Sequence, residues 1–589
     1  MIGRSAFAYV VAIEGSQVTL NLKDEHRGHV AAHRQGLVSV TDAGSLFGVD
    51  SAGTLLVMRV RSLSFAEPRE AHRAGIGTMA VSGDPLRHVV ATVVGLMAKR
   101  DNRLTFVPDA LTSPTLGAEA YPLSNDELAA VLNLPGDTEQ PITLGESTRG
   151  GGALTVSLPA LLGRHVAVLG STGQGKSCFT AAVLQQLLKC EKPRIVVFDI
   201  NGEYAPALLP HVQRGKVKQT AIGAPTGGFK IPYYGLGRHG LGRLLMPSEK
   251  TQRPALNFAL DSLRYVKSFP NQAGVGLVGD AAPSLFDDCP AGDASAAHAA
   301  IQKLRAPGLT EATEWPPMRA LAALVAESHS LKKDNQGRWA RGPFEYGNVS
   351  PLVTLISRYT EDAMFNAVVE VNGGAPPAGG SLSWQSEGQR LVDSIFGGPQ
   401  TDWHLHLIDL RNVAHDLMPM VLGALLELLA FELFRRGPGA TYPTLLVLEE
   451  AHHYLRPAGD RDEGGRQALA YERLAKEGRK FGLSLWLSTQ RPSEMSPTVL
   501  AQCGTWSVFR LSAESDQNAV AAATEWADRR EIGQIAGLRR QQAMVFGASV
   551  ALPTRIIAAE ANPVPQSQDP TFGGWGSPRS TALTPPQDP

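Results

Sequence analysis

The chain has 589 residues, 43% of them hydrophobic and 19% charged, a balance that excludes a wholly disordered or fibrous protein and a length that predicts two to four domains. Fifty-five basic residues against 56 acidic ones leave a formal net charge of −1. That excludes a generally basic nucleic-acid coat and makes any DNA contact local. Cys178, Cys190, Cys289 and Cys503 form no C-x-x-C pair, so neither a disulfide framework nor a cysteine zinc site is expected. The most apolar stretch, Leu417 to Phe434, is interrupted by Pro419, Glu427 and Glu432 and reads as a buried helix rather than a membrane span. With no signal peptide expected either, the expected location is the cytoplasm.

In chain order, residues 1 to about 115 read as β. Short apolar or alternating runs at Phe7–Ile13, Val18–Leu22, Gly36–Val40, Thr54–Val60, His88–Leu96 and Leu104–Val107 predict a small N-terminal barrel or sandwich. Residues 116–160 read as a connector. From 161 to 561 apolar strands alternate with amphipathic helices, the pattern of a parallel sheet covered by helices. Its strands are expected at His165–Leu169, Arg194–Asp199, His404–Leu410, Thr444–Glu449, Leu483–Thr489 and Trp506–Leu511. An Ala- and Leu-rich helical insertion is expected at about 240–370. The last 28 residues, 562–589, contain seven prolines and read as a disordered tail or one laid across another surface.

The strand His165–Leu169 runs into Gly170-Ser171-Thr172-Gly173-Gln174-Gly175-Lys176-Ser177 and then a helical stretch opening with Cys178. Strand, G-x-x-x-x-G-K-S and helix stand in the order a phosphate-binding loop requires. Glycines admit the backbone close to phosphate, and consecutive amides at a helix start stabilise negative charge. Lys176 is expected to reach the β- and γ-phosphates, and Ser177 to ligate Mg²⁺. The nucleotide-binding set is therefore Gly170 to Cys178, with ATP and Mg²⁺ as cofactors.

Thr444-Leu-Leu-Val-Leu-Glu449-Glu450-Ala-His452-His453 is a buried strand ending in two carboxylates. In a phosphate-loop sheet the first is expected to hold the metal through water and the second to polarise the attacking water. Glu449 is assigned to the metal and Glu450 to catalysis. His452 and His453 lack the i, i+4 spacing of a zinc pair. One of them is expected to orient a carboxylate or to couple the site to the following loop.

Together these segments resemble the HerA branch of the HerA/FtsK translocases. Asp199-Ile-Asn-Gly202-Glu203-Tyr204 is similar to that branch's D-x-x-G-E-Y. The stretch from Arg473 through Lys476, Arg479 and Lys480 to Thr489-Gln490-Arg491-Pro492 resembles its R-x-x-x-E-G-R-K-F-G segment and T-Q-R-P strand end. Glu449 departs from the pattern, which commonly has Asp there. The resemblance implies an α/β fold: a RecA-like P-loop NTPase core with a helical insertion, behind a small N-terminal β-barrel.

It also implies a homohexamer with ATP between subunits, driving duplex DNA through a central channel. A separately encoded nuclease, or a sirtuin-like or nuclease defence effector, would dock on the barrel face. The resemblance gives Arg479 as the arginine acting in trans, with Arg473 and Lys476 as substitutes. It gives Arg164 as a same-subunit contact to the γ-phosphate, and Gln490 as a γ-phosphate sensor. Asp199 and Glu203 are left between positioning Mg²⁺ or water and pairing with a neighbour's arginines. Asp409 and Arg411 are expected to cap a helix from Ala414. Arg214, Lys216, Lys218, Arg461 and Arg466 are candidate DNA contacts. The tail, anchored by Phe572 and Trp575, would brace a neighbour. The alternative function, from another class, is a ring-shaped regulatory ATPase that assembles and activates an effector, with DNA movement incidental.

Overall fold

The structure is a computed structural model. It describes residues 5–566 except 24–29, 34–35, 40–41, 66–86, 101–102, 109–111, 134–140, 267–293, 310, 377–381, 440–441 and 458–469.

The N-terminal strands are β1 (Ala8–Glu14), β2 (Gln17–Leu22), β3 (Val30–His33), β4 (Gly36–Ser39), β5 (Leu46–Ser51), β6 (Thr54–Phe65), β7 (Arg87–Arg100), β8 (Arg103–Pro108) and β9 (Glu119–Pro122). Their order is β2-β1-β9-β5-β6-β7-β8, and β2 also pairs with β7. Six strands thus close into a barrel, leaving no free edge among them, with β8 appended along β7. Phe7, Val10, Leu20, Phe47, Met58 and Val89 fill it. The expected barrel is present, but it does not end at 115: β9, inside the expected connector, completes the ring.

The remainder of that connector also has structure. Helix Asn125–Leu132 starts at a reciprocal Ser124/Glu127 capping box. After it, β10 (Ile142–Ser147) and β11 (Ala153–Val156) extend the core sheet. Arg59 pairs with Glu531 and Arg61 with Asp528, joining β6 of the barrel to the core.

The core strands are β12 (His165–Leu169), β13 (Ile195–Asp199), β14 (Val217–Ala221), then β19 (Leu405–Asp409), β20 (Thr444–Leu448), β21 (Leu483–Thr489), β22 (Cys503–Phe509), β23 (Gln542–Gly547) and β24 (Thr554–Ala558). Two short ladders lie between them in sequence: β15 (Ile231–Pro232) with β18 (Val369–Glu370), and β16 (Leu331–Lys333) with β17 (Trp339–Arg341). The sheet order is β11-β10-β24-β23-β22-β12-β21-β20-β13-β19-β14. From β22 to β14 every pairing is parallel, and from β22 to β11 every pairing is antiparallel. β12, β13 and β22 are buried along their whole length, as parallel strands covered on both faces must be.

Between β15 and β19 the chain forms the helical insertion, including Gln252–Leu263, Arg319–Ser330, Pro343–Glu361 and Trp384–Phe396. It reaches further than 370. The expected DNA-contact segment from Arg214 to Lys218 turns out to enter β14, the edge strand. Lys218 donates to the backbone and hydroxyl of Ser394, and Lys216 lies 3.5 Å from Asp402. Lys218 is thus engaged within its own chain and Lys216 faces Asp402; Arg214 is exposed. Arg461, Arg466, Phe572 and Trp575 lie outside the described residues. The start of the tail, Ala561 to Gln566, lies on its own core: Asn562 bonds Gln185 and His211, and the Gln566 amide donates to the Glu203 carbonyl at 3.0 Å.

Candidate nucleotide site

The phosphate loop leaves the carboxyl end of β12, between β22 and β21, where an open parallel sheet gathers ligands. Gly170 has φ 154°, and a Cβ there would stand 2.5 Å from Cβ of Phe509, so no larger residue fits. Its amide donates to the Thr489 carbonyl at 3.2 Å, and the Ser171 amide to that of Arg510 at 2.9 Å. The loop is thereby pinned to the strands on both sides. Gly175 is left-handed at φ 109° and opens helix Lys176–Leu187. Lys176 is 7% exposed and donates to the Ser171 carbonyl at 3.2 Å. Burial lowers its pKa, opposed by the charges of Glu450, Glu449 and Glu203.

Glu449 and Glu450 follow β20 directly. Ser177 donates to Oε1 of Glu449 at 3.4 Å and Tyr204 donates to the same oxygen at 3.1 Å. The Tyr454 hydroxyl donates to the Glu449 carbonyl at 2.9 Å. Burial pushes Glu449 well above the ordinary carboxylate range, reinforced by Asp199, Glu203 and Glu450. Glu450 takes the left-handed backbone φ 43°, ψ 46°, a strained conformation for a non-glycine that turns its carboxylate toward the loop. Gln490, immediately after β21, donates to Oε1 of Glu450 and accepts from the hydroxyl of Thr172. His452 Nδ1 lies 2.9 Å from the Thr489 hydroxyl and 3.4 Å from Oε2 of Glu450. Burial lowers this histidine to about 4, so it is neutral at pH 7.

One oxygen each of Glu203, Glu449 and Glu450 is buried without a partner. Glu449, with one oxygen on the Ser177 hydroxyl and the other without a partner, suits a hard divalent cation that completes its shell with waters and phosphate oxygens, so the residues fit Mg²⁺. Ser177 and Glu449 would hold it, and it would supply charge neutralisation at the phosphates. Among the described residues no group of three or more His, Cys, Asp or Glu is placed to hold a metal by itself.

The structure therefore brings Gly170–Cys178, Glu449, Glu450 and Gln490 together. It does not bring Arg164. That residue precedes β12, at the amino end of the strand whose carboxyl end carries the loop. Five residues at about 3.3 Å each put about 16 Å between them, more than an arginine spans. Its side chain lies over Gly504 instead. Arg164 as a same-subunit γ-phosphate contact is thus corrected by the direction of its strand. Arg479 stands in the short turn Gly478–Phe481 ahead of β21, also at the amino end and exposed. Its charge helps depress His165 at the start of β12, so it is remote from its own loop. Arg473 is engaged with Glu477 at 3.8 Å and with the ring of Phe434 at 4.3 Å.

Asp199 and Glu203 separate in role. Asp199 accepts the backbone amides of Glu203 and Tyr204, both at 3.0 Å, and so shapes the turn. Glu203 faces Ser177, whose hydroxyl lowers its pKa against the larger raising effect of burial. Arg411 pairs with Asp409 at 2.6 Å and covers Gly202; the following helix begins at Met418, so the expected cap is not formed. Tyr204 and Tyr454 carried no assigned role in the sequence, because nothing in a tyrosine's neighbours along the chain tells which carboxylate its hydroxyl will meet.

Residues 142–304 match the family described as Helicase HerA, central domain. Over that segment the chain is similar to the HerA central domain. The DNA double-strand break repair helicase HerA of Pyrococcus furiosus is 34% identical to it over 125 residues, 21% of this chain and 22% of that one; the matched segment thus spans about a fifth of that relative. The helicase HerA of Sulfurisphaera tokodaii is 21% identical over 544 residues, 92% of this HerA-like chain and 87% of that one. Among solved structures, VirB4 of Thermoanaerobacter pseudethanolicus aligns with 73% of the HerA-like chain and 98% of its own at 15% identity, TM-score 0.45. Among the described residues no helix is long and apolar enough to cross a membrane.

Proposed function

We propose that the HerA-like chain is one subunit of a hexameric, ATP-driven motor that moves duplex DNA through its ring. The observation that carries the reading is the side-chain relay from Thr172 of the phosphate loop through Gln490 to Glu450. A group that registers the γ-phosphate is thereby bonded to the carboxylate that would activate water.

In this reading the loop amides and Lys176 hold the triphosphate, and Lys176 exchanges its bond to Ser171 for the β- and γ-phosphates. Glu450 Oε2, the unpartnered oxygen, accepts a proton from the attacking water. Loss of the γ-phosphate frees Thr172, and Gln490 shifts with it. The turn Pro492–Glu494 follows directly, tied to helix Glu514–Ala523 through Ser493 and Asp516, so the displacement reaches that helix.

Arg164 and Arg479 both stand at the amino ends of their strands, away from this loop, and Arg479 is exposed there. That arrangement supports a nucleotide shared between neighbours, with Arg479 supplied in trans and worth ~10³–10⁵ in rate in related NTPases. A separately encoded nuclease or defence effector is the partner assigned to the barrel, whose β6 exposes Leu63 and Phe65. ATP-dependent displacement of a third strand from a duplex tests the movement. Hydrolysis without displacement would instead favour a ring that organises an effector.

A further inference from the structure

The phosphate loop has two flanks. Glu449, Glu450 and Gln490 end β20 and β21 on one side of β12, while β22, β23 and β24 lie on the other. The reacting end of a bound triphosphate belongs on the first side. The phosphate chain then crosses the loop, and the nucleoside leaves over the second.

Gln541 and Glu560 occupy that second flank. Gln541 precedes β23 in a left-handed conformation, φ 62°. Its amide donates to the carbonyl of Gln174 in the loop at 3.0 Å, and its carbonyl accepts from Ala558 in β24 at 2.8 Å. Its side chain runs past Gly175, where an added Cβ would lie 3.6 Å from Gln541 Cγ. Gln541 Nε2 donates to Oε1 of Glu560 at 2.6 Å. One residue further, the Ala561 amide donates to Sγ of Cys178 at 3.5 Å, which holds the Glu560 segment on the first turn of the loop helix. Strain of this kind in a non-glycine persists where its surroundings over-determine it. Here two backbone bonds hold an exposed polar pair beside the loop. Their mutual bond uses one carboxylate oxygen and one amide hydrogen, so the other carboxylate oxygen and the Gln541 side-chain oxygen remain acceptors, with the second amide hydrogen a donor.

We infer that Gln541 and Glu560 read the nucleoside of the bound nucleotide by accepting hydrogen bonds from its N–H or O–H donors. Adenine offers an exocyclic amine where guanine presents a carbonyl oxygen, which the Glu560 carboxylate repels; ribose offers its hydroxyls. The inference rests on the nucleotide-binding reading above.

The test is equilibrium calorimetry of the full chain with ADP, GDP and 2′,3′-dideoxy-ADP, for the wild type, Glu560→Ala and Gln541→Ala. ADP is expected to bind Glu560→Ala about tenfold more weakly, the worth of one hydrogen bond to a charged group. A base contact collapses the ADP-to-GDP ratio. A ribose contact preserves that ratio and removes the difference between ADP and its dideoxy form. Either result supports the pair as the reader of its part of the nucleoside. ADP affinity unchanged in both variants overturns the inference while leaving the phosphate loop standing. A wild type that binds no nucleotide overturns the phosphate-loop reading itself, and this inference with it.

Discussion

Gln490 donates a side-chain hydrogen bond to Glu450 across the ends of two adjacent parallel strands. The oxygen of the same amide accepts from Thr172, so one side chain touches both the loop that would meet phosphate and the carboxylate that would meet water. Gln490→Ala is expected to leave nucleotide binding intact, lower ATP turnover about tenfold and abolish its stimulation by DNA. Turnover with and without duplex checks this. Stimulation retained in the variant would show that the signal takes another route.

Glu450→Gln keeps the size and the hydrogen-bonding reach of the side chain while removing its basicity. The account expects hydrolysis to fall by ~10²–10⁴, the usual contribution of a general base, with ATP affinity unchanged. Single-turnover hydrolysis beside equilibrium binding separates the two. Turnover near the wild-type rate would remove Glu450 from catalysis.

Arg479→Ala should be inactive alone, since the neighbour's site would lack its cation. Mixed with Glu450→Gln subunits, it should regain activity at those interfaces where an intact Arg479 faces an intact Glu450. The measurement is turnover across mixing ratios, on rings verified as mixed. A flat response across all ratios argues against action in trans.

His165 carries a pH dependence. Its Nε2–H donates to the Ala475 carbonyl at 2.8 Å and its Nδ1 accepts the Leu485 amide at 3.1 Å, so the fold holds the ring neutral. Burial lowers it to about 4, against the ordinary value of about 6.5. The unfolded chain then binds the proton more readily, and stability is lost as pH falls from about 6.5 to about 4. The loss from this ring approaches about 3 kcal/mol at the lower end. Denaturant melts across that window should show His165→Gln less acid-sensitive than the wild type. Equal slopes would place the acid sensitivity elsewhere, for instance at His406, which burial also lowers to about 4.

The residues assigned to phosphate binding were legible because their chemistry is local in sequence. Gly170 to Ser177 is one contiguous loop, and β12, β20 and β21 announce themselves as continuous apolar runs. Other parts are assembled only in three dimensions. β9 and β10 are short and mixed in character, and their membership of the barrel and of the core sheet depends on partners more than 70 residues away. Arg164 was misplaced for a related reason. It is next to the phosphate-loop strand in sequence, but a strand has two ends, and spacing along the chain does not say how far apart they lie. Tyr204, Gln541 and Glu560 meet their partners only across separate elements of the fold, so no pattern of neighbours marks them.

The most direct measurement of the central claim is ATP turnover by the size-checked protein, with and without linear duplex DNA, across a salt series. The account predicts a hexamer whose turnover rises several-fold with DNA and loses that rise as salt displaces phosphate contacts. A hexamer that hydrolyses ATP at the same rate with and without DNA, at every salt concentration, would contradict it.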